Sequence, residues 1–474
     1  MPESTRSGWL DAVLFVLLLG FLVWVPMPFG SASDASQLPL IIPPLLICSL
    51  AALVRAMRAS PFALDRPGRI WTAGGVLFAA VIGLQLIPMP LSVLRVLSPQ
   101  SAAIWERAAR VAALGGMSVS SLHPITVDPS MTALHFFRVL AYFATFFASL
   151  ILVRDMVRRT IMASVLAAVA VFETIYAVNE ATLGRYAIWG WKNTLIFGRA
   201  TGTFVNPNHF ANYSAILLPI GLYLSAYAWH TAAPAGAPFS RRIVKLAEKR
   251  LLPFSCGLLV AAACIVGVLV SESRGAVLAI IGGFAVVGGM ASSGRGAALR
   301  GVLVAVAVTA AIIITILVVG RTETVSRLAQ SRSEQLDSRR ASVLGAVRIW
   351  EMFPLFGSGA GTYEDVVPMT RATSTEVLAN HAHNDYAEIL ATTGAAGFVV
   401  SLVALLGGFA ALARKTFGEH DVPISWRHRA FNTAVLTSIA IAMIHALVDF
   451  NFFIPANPIT LAAIAGAAIA AREP

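Results

Sequence analysis

The sequence predicts an all-α, polytopic membrane protein of about twelve spans with a large periplasmic loop. Three observations carry that prediction. Of 474 residues, 57% are hydrophobic, and the mean hydropathy is +0.76. Only 12% are charged, against roughly 25% in soluble domains, which is too few to cover so large a water-soluble body. Apolar windows near the ~20 residues that a spanning helix needs recur along the whole chain. The apolar content excludes disorder, and three cysteines exclude a disulfide scaffold.

The windows, in order, are 9–27, 38–54, 69–88, 133–153, 158–178, 209–229, 253–271, 275–291, 301–319, 390–412, 430–449 and 457–471. They define one transmembrane domain over residues 1–474. The first reads as a retained span: no small-residue cleavage site follows it, and Val25-Pro26-Met27-Pro28-Phe29-Gly30 reads as a turn into the next hairpin. The pair at 253–291 is broken only by a brief polar turn. Cys48, Cys256 and Cys264 lie in or beside spans without metal-ligand spacing, and read as small apolar fillers.

The net charge of +11 would suggest nucleic acid in a soluble protein. Here the positive-inside rule explains it. With the N-terminus inside, cytoplasmic segments hold 20 of the 35 Lys+Arg, among them Arg154, Arg158, Arg159, Arg241, Arg242 and Lys245. The short outer loops 28–37 and 450–457 hold none. Both termini are therefore expected in the cytoplasm.

Three outer segments exceed simple turns: 89–132, with a helical stretch around Ala102–Ala113; 179–208, rich in Trp, Gly and Asn; and 320–389, the largest. In the last, Ser338–Phe353 spaces Val343, Val347, Ile349, Trp350 and Phe353 as an amphipathic helix would, lying on the membrane or capping a cavity. Long loops of this kind are functional or disordered. No repeat is visible.

Three polar clusters face that outer side. The first, Arg199 to Phe210, includes Asn206, Asn208 and His209 at the mouth of the sixth span. A helix start beside a fixed cation favours an anion such as phosphate; an ordinary cap and turn, with Asn206-Pro207-Asn208, is the plain alternative. The second is Ser271-Glu272-Ser273-Arg274-Gly275. Charges there are costly unless paired or facing a wet cavity. Arg274 is either half of a surface pair with Glu272 or a fork for a phosphate. The third is Asn380-His381-Ala382-His383-Asn384-Asp385-Tyr386. A metal site is disfavoured, because side chains two apart on a helix diverge and no further ligand cluster is near. A general base oriented by Asp385 or Glu388 is favoured over a capping histidine. Arg138, Glu173 and Asp449 lie within spans near the outer face, as site residues or helix-to-helix pairs. Gly357–Gly361 is glycine-rich but lacks the strand–helix setting of a dinucleotide loop. Asn212-Tyr213-Ser214 fits a glycosylation sequon, but inside a span it reads as chance.

Two arginines and a base on one membrane face point to a phosphorylated, lipid-linked substrate and a hydroxyl that must lose a proton. At these residues the chain resembles the superfamily of O-antigen ligases and O-antigen polymerases, bacterial inner-membrane glycosyltransferases. Gly202–Phe210 is similar to the family's outer turn, Ser273-Arg274-Gly275 to its Ser-Arg-Gly element, and Arg348-Ile349-Trp350 with Pro354–Gly359 to the end of its large loop. The ligase signature is His, then Asn, Ser or Gln, nine residues, Gly, two residues, and Gly, Thr or Tyr. It is met by His383, Asn384, Gly394 and Gly397. The likeness runs from about the fifth span to Asn457.

The resemblance implies metal-independent, cofactor-free, inverting transfer from an undecaprenyl-diphosphate glycan to lipid A–core. His383 would act on the acceptor hydroxyl, and Arg199 and Arg274 would hold the diphosphate. Asn206, Asn208, His209, Asn384, Asp385, Arg348 and Arg138 are expected to line the substrate site. A monomer in the inner membrane is expected, with its active site facing the periplasm and no nucleic-acid partner. A polysaccharide polymerase or a protein O-glycosyltransferase would share this chemistry. A transporter of an anionic lipid would use the arginines but need no base.

Overall fold

The computed structural model describes residues 3–57, 64–118, 120–185, 187–192, 198–234, 236–291, 332–370, 380–418 and 424–470. The helices, numbered among these residues, are α1 (Glu3–Trp24), α2 (Gln37–Met57), α3 (Arg66–Leu86), α4 (Leu91–Leu97), α5 (Pro99–Leu114), α6 (Pro129–Leu152), α7 (Met156–Leu183), α8 (Pro207–Ala232), α9 (Phe239–Lys249), α10 (Leu251–Val270), α11 (Arg274–Met290), α12 (Arg332–Met352), α13 (Tyr363–Val366), α14 (Asp385–Phe417), α15 (Trp426–His445) and α16 (Ala456–Ile469). Helix α2, extended back to Asp34, and α3, α6, α7, α10 and α14 are long and apolar enough to cross a membrane. Helix α1 from Gly8, α11 and α16 are shorter apolar helices. The expected span at 301–319 lies outside the described residues; the other expected windows each contain a helix.

Local sequence sets the helix starts. Asp65, Asp128 and Asp155 accept backbone N–H bonds at the heads of α3, α6 and α7, and Asn206, Ser273, Asn384 and Ser425 do so for α8, α11, α14 and α15. Pro67, Pro129 and Pro207 add the proline that suits a first helical turn. Helix α8 is buried almost throughout, with α10, α15 and α7 against it, while α14 runs along α3, α11 along α15, and α2 and α16 along α6.

Segment 89–132 is more ordered than its sequence suggests. The expected stretch is α5, preceded by α4, and Met89–Pro90 pairs antiparallel with Leu122–His123. Segment 179–208 carries the small hairpin Ala187–Ile188 with Trp191–Lys192.

One break in α14 organises the site end. Gly394 has φ 65° and ψ −172° inside the helix, a region open essentially to glycine. The freed N–H groups of Ala395 and Ala396 donate to Pro354 O and Leu355 O at 2.9 and 3.0 Å, and Ser358 and Gly359 donate to Ala391 O and Thr392 O. Buried Gln85 closes the joint: its amide nitrogen donates to Phe356 O and Thr392 O, and its oxygen accepts from Ala360 N–H at 2.9 Å. The glycine-rich loop 357–361 is therefore the plug of a broken helix.

Candidate active site

His383 stands just before α14, with φ +51°. Histidine tolerates this left-handed conformation at a cost when its surroundings fix it. They do so on both sides. The buried carboxylate of Glu388, one turn into α14, takes His381 Nδ1 at 2.7 Å and Ala382 N–H at 2.8 Å. Asn384 caps the helix by accepting from Ala387 N–H at 3.0 Å and donates to Leu447 O at 2.9 Å.

The partner of His383 is Asp449, and not Asp385 or Glu388, the acids that lie nearest to it in the sequence. His383 Nδ1 faces Asp449 Oδ1 at 3.4 Å. Glu388 is spent on His381, and Asp385 is buried and accepts from Phe452 N–H at 3.1 Å. Helix α15 ends at His445, not at residue 449 as hydropathy suggests, so Asp449 lies in the turn beyond it. There it also accepts from Phe450 N–H at 3.0 Å and from Arg339 at 3.5 Å, with His209 Nε2 at 3.8 Å. Burial alone would raise its pKa. The bond from His383 and the Arg339 guanidinium outweigh burial and hold it below the usual carboxylate range. Such a carboxylate fixes the imidazole tautomer: an Nδ1–H given to Asp449 leaves Nε2 as the acceptor of a proton. His383 keeps 30% of its side chain exposed, so a substrate can reach it.

Of the arginines nearby, Arg339 contacts Asp449 directly, and the others act within the same electrostatic neighbourhood. Arg199 donates to Ser271 O at 2.9 Å and to Asn208 Oδ1 at 3.1 Å, which ties the turn before α8 to the turn before α11. Burial pulls its pKa below the ordinary arginine value, while Glu272 and Asp449 act the other way and Arg339 and Arg274 add to the lowering. Arg199, Arg274, Arg339 and Asp449 thus share one electrostatic environment. Arg274 is exposed at the head of α11. Asn206 accepts from Asn208 N–H at 2.9 Å. Glu173 accepts from Thr203 N–H at 2.9 Å and faces Thr203 Oγ1 at 2.7 Å, anchoring this turn to α7.

Two expected residues are placed elsewhere. Arg348 donates to Thr370 O at 2.9 Å. Arg138 donates to Gln37 Oε1 at 2.8 Å and lines a separate cavity with His135. Two residues went unassigned. Arg339 gave a weak signal, one arginine of several on an amphipathic stretch. Phe450 was marked only by lying in the family-like stretch from Asp449 to Asn457, yet His209, His381 and His383 all pack on its ring, with centroids at 4.4, 4.1 and 5.0 Å.

Taken together, this is a helical membrane protein whose site pairs a carboxylate-held histidine with clustered arginines. The O-antigen ligase family model matches residues 259–402, and over that segment the chain is similar to the O-antigen ligase superfamily. No curated protein matches it.

Proposed function

We propose that the protein is an O-antigen ligase of the bacterial inner membrane. It transfers an undecaprenyl-diphosphate-linked glycan to a sugar hydroxyl of lipid A–core at the periplasmic face, with both termini cytoplasmic. The observation that carries this reading is the His383–Asp449 pair beside Arg199, Arg274 and Arg339. His383 Nε2 takes the proton of the acceptor hydroxyl, and Asp449 balances the imidazolium that forms. The hydroxyl oxygen attacks the anomeric carbon from the face opposite the diphosphate, which leaves with its bonding electrons. Arg199 and Arg274 stabilise the charge that develops on it. Asn208 aims Arg199, and Asn384 fixes the turn that presents His383.

A polymerase or protein O-glycosyltransferase would use the same donor and base, so the acceptor separates the readings. Purified protein is given undecaprenyl-diphosphate glycan with lipid A–core, with further donor, or with a pilin-like protein. Product on lipid A–core supports the ligase, and a lengthened donor or glycosylated protein replaces it. Full transfer by His383→Ala would refute the base; a wild type that transfers to no acceptor leaves the transporter reading.

A further inference from the structure

Beside the His383 site runs a second cavity that the proposed transfer does not yet use. Its head, about 170 Å³, is lined by His135, Arg138, Gly361, Thr392 and Phe453. Its tail, about 260 Å³, is lined by Trp71, Gly75, Phe146, Ala404, Leu461 and Ala465. Phe78, Tyr142, Phe452 and Pro458 belong to both, so the two are one groove between α3, α6, α14 and α16. From Ile82 to Trp71 it follows α3 for about 16 Å at the helical rise per residue.

The head is cationic and the tail is apolar. Arg138 donates to the Gln37 amide oxygen and lies 3.4 Å from His135 Nε2; Asp34 acts on it electrostatically, but among the described residues no carboxylate makes a direct ion pair with it. An arginine in a spanning helix without a direct carboxylate partner suits an anion brought by a ligand. The tail is walled by aromatic rings and by small residues that leave room between helices. This is the shape of a site for a lipid chain with an anionic headgroup.

Its position selects the occupant. Phe450 packs against His209 and His383, whereas Phe453, three residues on, packs against His135 at 5.9 Å. His381 stacks on Phe450 at 4.1 Å and reaches Phe453 at 5.5 Å. The arginines that would hold the donor diphosphate, Arg199 and Arg274, come from the turn before α8 and the head of α11. The groove lies on the other side of the Phe450–Phe453 turn. A displacement with inversion brings nucleophile and leaving group in from opposite faces. Resting on the transfer reading above, we propose that this groove seats one hydrocarbon chain of a lipid-anchored, phosphorylated acceptor, with its anion at Arg138 and its glycan reaching past Phe453 to His383.

The test uses the full chain in nanodiscs, with lipid A–core or its deacylated, water-soluble core as acceptor. Ala462→Leu and Ser401→Leu fill the tail. Each is expected to raise KM for lipid A–core tenfold or more while leaving transfer to the soluble core unchanged, which also shows that the variant folds. Arg138→Gln is expected to raise KM for lipid A–core by a similar factor with donor KM unchanged. Equal effects on both acceptors from the tail variants, or no effect on lipid A–core, would overturn the proposal. A binding readout stands apart from activity: a brominated alkyl phosphate should quench the fluorescence that Trp71→Phe removes, and lipid A–core should relieve it. Quenching by brominated phosphatidylcholine that lipid A–core does not relieve would make the groove a bulk-lipid surface and sink the idea. Should the wild type transfer to no acceptor, the transfer reading fails, and the quenching still decides the groove.

Discussion

Asp449→Asn removes the charge facing His383 and keeps the side chain's size. Two unit charges at the observed 3.4 Å interact by about 5 kcal/mol at an effective dielectric near 20. His383 is 30% exposed, so solvent screens part of this, leaving about 2–4 kcal/mol for the imidazolium formed in the transition state. That corresponds to a fall in kcat of roughly 30- to 1000-fold, which overlaps the lower part of the ~10²–10⁴ range of a positioned base. Asparagine can also donate to Nδ1, which would turn the imidazole to the wrong tautomer and add to the loss. The assay is single-turnover transfer with saturating donor and acceptor, alongside donor binding to the same preparation. Donor affinity should stay within a few-fold, because Arg199 keeps its bonds to Ser271 and Asn208. A kcat within threefold of wild type would refute Asp449 as the group that orients His383.

Three further outcomes follow from the same geometry. Gly394→Ala drives a Cβ against the Leu355 carbonyl in a backbone region that alanine avoids; strain and overpacking together should cost about 2–5 kcal/mol, read as a lower melting temperature, and an unchanged one would show that the break relaxes freely. Glu388→Gln leaves one acceptor for the two donors that pin the 381–382 turn; a loss of about 1–3 kcal/mol and a fall in kcat with little change in KM are expected, and a variant matching wild type in both would count against a positioning role. Asp449 titrates below the usual range when folded, so its stabilisation is present above the unfolded value near 4 and lost as the pH falls below it. The melting-temperature gap between wild type and Asp449→Asn should narrow only as the pH falls below about 4; a gap that closes near pH 6 would contradict the assignment.

Much of the site was legible one segment at a time. His383 and Asn384 stood out by the spacing to Gly394 and Gly397, and the structure supplies reasons for three of those positions: a residue facing a buried carboxylate, a helix cap, and a backbone break only glycine accepts. Arg199 and Arg274 stood out because charge is costly near a membrane face. The partner of His383 was not legible. The nearby acids Asp385 and Glu388 were the natural candidates, yet helix geometry turns them to Phe452 N–H and to His381. Asp449, 66 residues away, reaches His383 because α15 stops at His445 and the chain folds back.

The sequence by itself determined the apolar helices, most of their starts and the residue types able to carry the chemistry. Hydropathy, capping side chains and prolines act over a turn or two, and that information is local. Tertiary structure alone decided which carboxylate meets which histidine, that the glycine-rich loop plugs a broken helix, and that Arg138 heads a groove apart from the other arginines. Those outcomes depend on helices far apart in the chain being packed side by side. A buried charge or an unsatisfied backbone group then takes whichever partner the packing brings within hydrogen-bond reach.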